Sequence, residues 1–218
     1  MITQYNWNTS NGYKIAIALE EMGQANRIHP INIGADDQFS EMFSALTPNN
    51  KIPVIADDDG PDGAAITLFE SVAILMYLSE KTNLFFPADP RERLEALQWL
   101  FWQASGLGPN FGQLHHFNNV APDDQTYSRG RFTAEVRRLY AVLNTRLEGR
   151  DYVVGDYSIV DMNIWPWVAR HAWQKVDLAE FPNVERWFST IGVRPAVIKA
   201  RADLDAACAA AKSQSSAG

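Results

Sequence analysis

The sequence predicts a small α/β domain followed by an all-helical domain, and three observations support this division. Residues 1–85 alternate short β-type runs with helical patterns, whereas the patterns after residue 91 are all helical. Residues 1–85 hold eleven acidic and four basic side chains, a net charge of −7, while residues 86–218 hold fifteen of each. Six of the seven tryptophans follow residue 86. Two parts that differ in pattern, charge and aromatic content indicate two domains.

The first domain begins with the pattern strand, helix, strand. Ile2–Trp7 is a β-type run, and the polar cluster Asn8–Gly12 that follows it supplies residues that cap helices. Tyr13–Met22 has apolar residues at helical spacing and is predicted as a helix, and Arg27–Ile33 is predicted as the second strand. This order predicts a βαβ unit.

The rest of the first domain has the pattern helix, strand, strand, helix. Gln38–Ala45 predicts a short or irregular helix, and Pro53–Ala56 predicts a third strand. The turn Asp57–Gly63, with the sequence DDDGPDG, makes the strand Ile66–Phe69 the antiparallel hairpin partner of that third strand. Ser71–Lys81 closes the domain as a helix. The whole order, βαβ and then αββα, predicts an α/β fold of about 80 residues.

A short segment without periodicity separates the two predicted domains. Asn83–Pro90, with the sequence NLFFPADP, contains two prolines and is the predicted linker. We expect domains at residues 1–84 and 91–211, joined by residues 85–90, and a frayed tail in the final KSQSSAG. Five helices are predicted in the second domain, at Arg91–His116, Gln125–Leu147, Ser158–Trp173, Pro182–Ile191 and Pro195–Ala211.

Composition and charge exclude several classes of protein. With 46 % hydrophobic and 21 % charged residues and a mean hydropathy of −0.23, the chain is typical of a globular protein with a packed core. A net charge of −7 without a basic cluster argues against nucleic acid as a partner. No run approaches the roughly 18 apolar residues of a membrane span, and the first residues lack a secretory pattern. We therefore expect a cytoplasmic protein without a membrane partner.

The cysteine content limits the redox chemistry of the chain itself. Cys208 is the single cysteine and lies in an Ala-rich segment near the end of the sequence. The chain therefore has no intrachain disulfide, no cysteine zinc cluster and no CxxC pair. We expect no bound metal, and we expect any sulfur chemistry to come from a ligand.

The order of motifs resembles that of the cytosolic glutathione transferases, and it is most similar to the Nu class and its nitrogen-regulator-like homologues. The resemblance covers essentially the whole chain and implies a thioredoxin-like N-terminal domain, a C-terminal helical domain and a homodimer. It rests on five runs, which are NTSNGYKI, LTPNNKIPVI, LFESVAILMYLSEKT, LQWLFWQASGLGP followed by QLHHFN, and YSIVDMNIWPW.

The polar cluster before the first helix is the candidate catalytic site. Its residues are typical helix caps, and a helix N-terminus with hydroxyl and amide side chains also stabilises a thiolate. A free thiol has a pKa of about 8.5, and one or two hydrogen bonds of roughly 1.5–3 kcal/mol each are enough to ionise it at neutral pH. The resemblance implies that Thr9 and Asn11 do this for glutathione. The tyrosine or cysteine of other classes is missing here, because Tyr5 lies inside the first strand.

Lys51, Ile52 and Pro53 form the second candidate motif. A proline at the start of a strand is tolerated because its missing N–H is not needed there. The resemblance implies a cis bond before Pro53, which exposes the backbone of Ile52 to pair with an extended peptide ligand. Lys51 is either a solvated surface charge or the partner of the glycyl carboxylate of glutathione.

Glu70 and Ser71 form the third motif, between the hairpin and the last helix of the first domain. Ser71 reads as an ordinary helix-start residue and Glu70 as an acid in the first turn. A hydroxyl, an amide and a carboxylate at a helix start also form a pocket for an α-amino acid. In the family that the chain resembles, Ser71 would hold the carboxylate of the γ-glutamyl group and Glu70 its ammonium. Gln38 would be a further polar contact to the peptide.

The helical domain holds less specific candidates. Arg131 is either a solvated helix-face charge or, by the resemblance, a residue that crosses a dimer interface to the ligand of the other subunit. His115 and His116 point about 100° apart on a helix, so we expect a role in packing or in a substrate pocket rather than a shared metal. Ser158–Asp161 fits a capping box that serves folding. The tryptophans are predicted as core, and they are Trp99, Trp102, Trp165 and Trp167.

Two functions from different classes are consistent with these motifs. The first is a dimeric glutathione-dependent transferase or disulfide-bond reductase, which acts on a small disulfide or electrophile and uses one or two glutathione molecules per subunit, with glutathione or its disulfide as ligand. The second is a non-enzymatic regulator or binding module on the same fold. The complete set of candidate glutathione contacts favours the enzyme.

Overall fold

The structure is a computed structural model in which residues 1–215 are described, and the chain divides into two compact units. The first unit holds Met1–Leu84 together with the segment that begins at Val193, and the second holds Phe85–Gly192. From the sequence we expect the last helix in the helical domain, whereas in the structure this helix belongs to the first unit. The difference arises because a helical pattern shows that a helix exists but not which core it covers.

The predicted order of strands and helices is confirmed. The strands are β1 (Ile2–Asn6), β2 (Asn26–Pro30), β3 (Val54–Asp57) and β4 (Ile66–Phe69). The α-helices among residues 1–215 are α1 (Ser10–Glu21), α2 (Glu41–Ser44), α3 (Ser71–Thr82), α4 (Pro90–Trp102), α5 (Gly108–Asn119), α6 (Thr126–Arg146), α7 (Ile159–Val168), α8 (Pro182–Gly192) and α9 (Pro195–Ser215). The irregular helix expected near Gln38 is a 3-10 turn at Asp37–Phe39 followed by α2.

The four strands form one sheet in the order β2-β1-β3-β4. Strand β1 runs parallel to β2 and antiparallel to β3, and β3 is antiparallel to β4. Tyr5 near the end of β1 lies opposite Val54 at the start of β3, which lies opposite Phe69 at the end of β4. The segments after β1, before β3 and after β4 therefore meet at one end of the sheet.

Apolar side chains on both faces of the sheet hold the first unit together. On one side, Ile31, Phe43 and Val54 form a buried cluster, against which Tyr5 and Leu46 pack. Helix α1 packs against both α3 and α9 and is buried over most of its length. Polar contacts also join the two helices, since Arg194, the residue before α9, donates two hydrogen bonds of 2.6 and 2.9 Å to Glu21 at the end of α1.

In the second unit, the long helix expected at Arg91–His116 consists of three segments. Helix α4 ends at Trp102, a π-helical turn spans Gln103–Leu107, and α5 begins at Gly108. Pro109 has no N–H to continue an α-helical ladder. A Cβ on Gly108 would lie 2.8 Å from Nε2 of Gln103, so a larger residue would have to displace the buried Gln103 side chain. The predicted helix Ser158–Trp173 is also shorter in the structure. Helix α7 ends at Val168, and a 3-10 turn follows at His171–Gln174.

The predicted capping box at the start of α7 is confirmed. Ser158 Oγ accepts from the Val160 N–H at 3.2 Å, and the Asp161 carboxylate accepts from the Ser158 N–H at 3.0 Å. Asp161 is fully buried and also accepts from the backbone of Val153 and from the indole of Trp187. Burial raises the pKa of Asp161 to about 6, so the carboxylate is ionised at neutral pH. The motif therefore stabilises the helical core, as the sequence analysis expects.

Two expectations about the chain as a whole can be compared with residues 1–215. No helix among these residues is both long enough and apolar enough to cross a membrane. The expected frayed tail begins at Lys212, but α9 continues to Ser215, and residues 216–218 lie outside the described part of the chain.

Candidate functional site

A buried polar network shapes the loop between β1 and α1. Asn6 Oδ1 accepts from the Trp7 N–H at 2.9 Å, and Asn6 Nδ2 donates to the Gly12 carbonyl at 3.0 Å and to Gln4. A Cβ on Gly12 would lie 1.9 Å from the Trp7 carbonyl oxygen, so only glycine allows this approach. Asn6 and Gly12 therefore fix the position of Thr9 and Asn11 between them.

Thr9 is the N-cap residue of α1. Its Oγ1 accepts from the Gly12 N–H at 3.1 Å, which satisfies one of the unpaired amides at the helix start. The hydroxyl makes no other hydrogen bond to the residues that the structure describes, so its proton remains available to a ligand at the positive end of the helix. The cap role and the predicted donor role of Thr9 are thus compatible.

Six of the nine residues predicted as site residues line one small cavity of about 70 Å³ in the first unit. Asn49 and Phe69 also line the cavity, and the predicted residues are Asn11, Lys51, Ile52, Pro53, Glu70 and Ser71. The sheet register explains their meeting, since they come from the three segments that share one end of the sheet.

The Ile52–Pro53 peptide bond is cis, as predicted. The ladder between β1 and β3 ends at Tyr5 and Val54, so Ile52 lies beyond the strand pairing and beside the cavity. Lys51 is exposed, lines the same cavity and has no ion-pair partner within residues 1–215. A cation without a carboxylate partner at a cavity wall is suited to an anionic ligand group.

The backbone of Glu70 has an unusual conformation, with φ 71° and ψ 107°. The sequence analysis expected Glu70 in the first turn of the helix, but it is the residue before α3 and its side chain does not cap the helix. A non-glycine residue with positive φ costs about 1–3 kcal/mol of strain, and such strain is concentrated at functional sites. Ser71 follows as the first residue of α3, where backbone amides and the helix dipole favour an anion.

Thr9, Gln38 and Arg131 do not line this cavity. The Gln38 carbonyl accepts from Asn50 Nδ2 at 2.9 Å, which joins the Gln38 turn to the segment beside Lys51. The Gln38 amide oxygen is buried without a hydrogen-bond partner in the described residues. Arg131 lies in the second unit, on α6, in a cleft of about 920 Å³ that also contains Glu135.

The adjacent histidines pack against different aromatic partners. The His115 ring stacks on Trp173 with a centroid distance of 4.6 Å, and His116 meets Phe117 edge-on at 5.3 Å. Burial lowers the pKa of His115, and the charge of Arg170 lowers it further. Within residues 1–215, no group of three or more His, Cys, Asp or Glu side chains is arranged to hold a metal ion.

The predicted core tryptophans differ in burial. Trp165 is buried and donates to the Phe188 carbonyl at 2.9 Å, as expected of a core residue. Trp99 and Trp102 contact each other edge-on at 5.0 Å and, like Trp167, are only partly buried.

Cys208 lies close in space to the polar loop before α1, although it is near the end of the sequence. It is buried on α9, and its sulfur hydrogen-bonds to the backbone of Asn8, one residue before Thr9. Burial raises the pKa of the Cys208 thiol, so it is protonated at neutral pH and is a poor nucleophile. The position of Cys208 in the sequence does not show this contact, because the contact arises from the packing of α9 on α1.

One charged residue of the site is not among the candidates of the sequence analysis. Lys14 on α1 is 2 % exposed, and its Nζ donates to Ser71 Oγ at 3.3 Å. The sequence contains a signal for it, because Lys14 interrupts the otherwise apolar run that predicts a buried helix face. Asn49, which lines the cavity, has no comparable signal, since polar residues are common in such a loop.

The chain belongs to the glutathione S-transferase family. Residues 10–81 match the N-terminal domain of glutathione S-transferase, and residues 129–195 match its C-terminal domain. The fold of the first unit and the residues at one end of its sheet agree with this assignment.

Similar proteins include one curated relative and two solved structures. The Escherichia coli K12 disulfide-bond oxidoreductase YfcG is 48 % identical over 90 % of this chain and 92 % of its own. A Pseudomonas putida glutathione transferase, solved with one glutathione disulfide per subunit, has a TM-score of 0.89 and 40 % identity over 92 % of this chain and 90 % of its own. A Burkholderia graminis glutathione transferase, solved with two glutathione molecules per subunit, has a TM-score of 0.87 and 41 % identity over 92 % of this chain and 87 % of its own.

Proposed function

We propose that this protein is a glutathione-dependent transferase and disulfide-bond oxidoreductase that uses the glutathione thiolate and no cysteine of its own. The observation that carries the proposal is the single cavity at which Asn11, Lys51, Glu70 and Ser71 meet. It combines a helix start suited to a thiolate with separate positions for the charged ends of a peptide. The names and bound ligands of the similar proteins support the same activity.

Glutathione consists of three residues, and the site residues would hold each of them. Ser71 and its backbone amide bind the γ-glutamyl carboxylate, and Glu70 binds the ammonium beside it. The backbone of Ile52 pairs with the cysteinyl unit, and Lys51 meets the glycyl carboxylate. Gln38 contributes a further polar contact to the peptide. The sulfur then lies at the start of α1, where Thr9 and Asn11 donate hydrogen bonds to it.

The reaction follows from a stabilised thiolate. The glutathione sulfur attacks one sulfur of the substrate disulfide, which forms a mixed disulfide and releases one thiolate that takes up a proton. A second glutathione thiolate attacks the glutathione sulfur of that mixed disulfide, which yields glutathione disulfide and the second product thiolate. Two electrons pass from two glutathione molecules to the substrate, and the protein contributes no sulfur. The same thiolate would also attack a small electrophile.

Arg131 and the subunit arrangement complete the proposal. Arg131 would reach the ligand of a neighbouring subunit in a homodimer of the Nu class, and its place in an open cleft on α6 leaves it accessible to such a partner. The cytoplasmic location expected from the sequence stays a prediction.

Light scattering tests the dimer. We expect a particle of twice 24.5 kDa, and we expect Arg131→Ala to weaken glutathione binding by about tenfold, as removal of one charged hydrogen-bond donor does. Arg150→Ala removes an exposed arginine elsewhere in the second unit and is the matched control. A 24.5 kDa particle that binds glutathione with full affinity contradicts both the dimer and the role of Arg131.

A glutathione-dependent assay with 2-hydroxyethyl disulfide tests the proposed function. We expect wild-type protein and Cys208→Ser to reduce this disulfide at similar rates, because the Cys208 thiol is buried and protonated. Loss of activity in Cys208→Ser alone would show that the protein supplies its own sulfur. Binding of glutathione without activity on any disulfide, peroxide or electrophile would support a regulator on the same fold.

A further inference from the structure

We propose that Lys14 is a positioning residue that makes the Ser71 end of the cavity selective for the carboxylate of an α-amino acid head group. This inference rests on the proposed function, since it concerns how the same cavity recognises the γ-glutamyl end of glutathione. It adds a buried cation to a subsite whose other predicted residues are Glu70 and Ser71.

The geometry places the Lys14 ammonium directly behind Ser71. Lys14 Nζ donates to Ser71 Oγ at 3.3 Å, so the serine oxygen acts as an acceptor toward the protein interior. The Ser71 hydroxyl has one proton, and it is donated to no other residue within 1–215. Because the Ser71 oxygen accepts from Lys14, the Ser71 proton is free to point into the cavity that Ser71 lines.

The charges of the subsite match a zwitterion. Glu70 supplies a negative charge for an ammonium, but Ser71 and the start of α3 supply only neutral donors and a helix dipole for a carboxylate. Lys14 supplies the missing positive charge when it is protonated, and a carboxylate bound nearby favours that protonated form. Because the lysine is almost completely buried, water screens its interaction with a nearby anion only weakly.

The burial of Lys14 carries a cost in desolvation. Burial lowers the pKa of Lys14 to about 7, whereas the charge of Glu70 raises it. An apolar side chain at this position would cost no such desolvation, and replacing buried charges with apolar groups of similar volume is often neutral or stabilising. The Lys14 charge lies near Glu70 and Ser71, where a bound carboxylate would offset the desolvation cost further.

The test compares two ligands on two proteins by titration calorimetry. The ligands are glutathione and 4-aminobutyryl-cysteinylglycine, which lacks only the α-carboxylate of the γ-glutamyl group. We expect Lys14→Met to weaken glutathione binding by about 10- to 100-fold, to leave binding of the second ligand nearly unchanged, and not to lower the melting temperature. Lys199→Met, which removes an exposed lysine on α9, is the matched control.

Two results would overturn the inference, and one would overturn the proposed function instead. A Lys14→Met variant that binds glutathione as tightly as wild type contradicts a carboxylate-selective role. A variant whose affinity for both ligands falls equally contradicts it as well. If Lys14→Met does not fold, Lys14→Gln makes the same comparison, because it keeps a donor for Ser71 without the charge. Wild-type protein that binds neither ligand contradicts the proposed function itself.

Discussion

Replacing Thr9 or Asn11 with alanine is expected to lower kcat/KM for glutathione-dependent disulfide reduction by about 10- to 100-fold each, with much smaller changes in glutathione affinity. The loss follows because each substitution removes one hydrogen bond to a sulfur anion. Affinity is retained because Lys51, Glu70 and Ser71 bind the ends of the peptide. Steady-state kinetics across a pH series, together with titration calorimetry, separates the two effects.

The controls for this prediction distinguish the donor role of Thr9 from its cap role. Thr9→Ser keeps the hydroxyl that caps Gly12 and should retain most activity. Thr9→Ala loses the cap as well, at a cost of about 1 kcal/mol in the free energy of unfolding, which is too small to unfold the chain. Asn118→Ala on α5 is the matched control for Asn11. Equal activity of wild type, Thr9→Ala and Asn11→Ala would remove both residues from the mechanism.

Both substitutions of Glu70 are expected to weaken glutathione binding, but they are expected to differ in their effect on the free energy of unfolding. Glu70→Gln and Glu70→Gly should both weaken glutathione binding by roughly 1–3 kcal/mol, since the ammonium of the ligand loses its carboxylate partner. Glu70→Gly should have a free energy of unfolding about 1 kcal/mol above that of Glu70→Gln, because both variants lose the charge near Lys14 and glycine alone adopts positive φ without strain. Calorimetry measures the first effect, and urea unfolding measures the second.

The matched control for Glu70 is Glu185→Gln, which changes an exposed glutamate on α8. It should leave both binding and stability unchanged. Wild-type affinity in Glu70→Gln would show that the cavity is assigned to the wrong end of the peptide. A Glu70→Gly variant that is no more stable than Glu70→Gln would show that the conformation at φ 71° is not strained.

The sequence predicts the strands and helices well because most of them have strong local signals. The hairpin of β3 and β4 follows from the turn at Asp57–Gly63, and the start of α7 follows from its capping box. The break between α4 and α5 is less visible, since Gly106, Gly108 and Pro109 lie in a run that is otherwise helical. The local pattern alone does not show that a π-helical turn joins α4 to α5 at these glycine and proline residues.

The sequence predicts the candidate site only in part, because local patterns identify its motifs but not the contacts between them. The three motifs around Asn11, Pro53 and Glu70 are identifiable from their residues, but their meeting depends on the register of the sheet. The contact between Lys14 and Ser71 and the packing of Cys208 beside Asn8 join residues that are 57 and 200 positions apart. Such contacts arise from tertiary packing, which no local pattern specifies.

The most direct test of the central claim is the pKa of the glutathione thiol bound to the protein, measured by ultraviolet absorbance of the thiolate across a pH series. Cys208→Ala is the background for the measurement, so that the protein itself contributes no thiolate. We predict that the bound thiol titrates clearly below its ordinary pKa of about 8.5, and that Thr9→Ala and Asn11→Ala together return it toward that value. A bound thiol with an ordinary pKa, unchanged by these substitutions, would contradict the account.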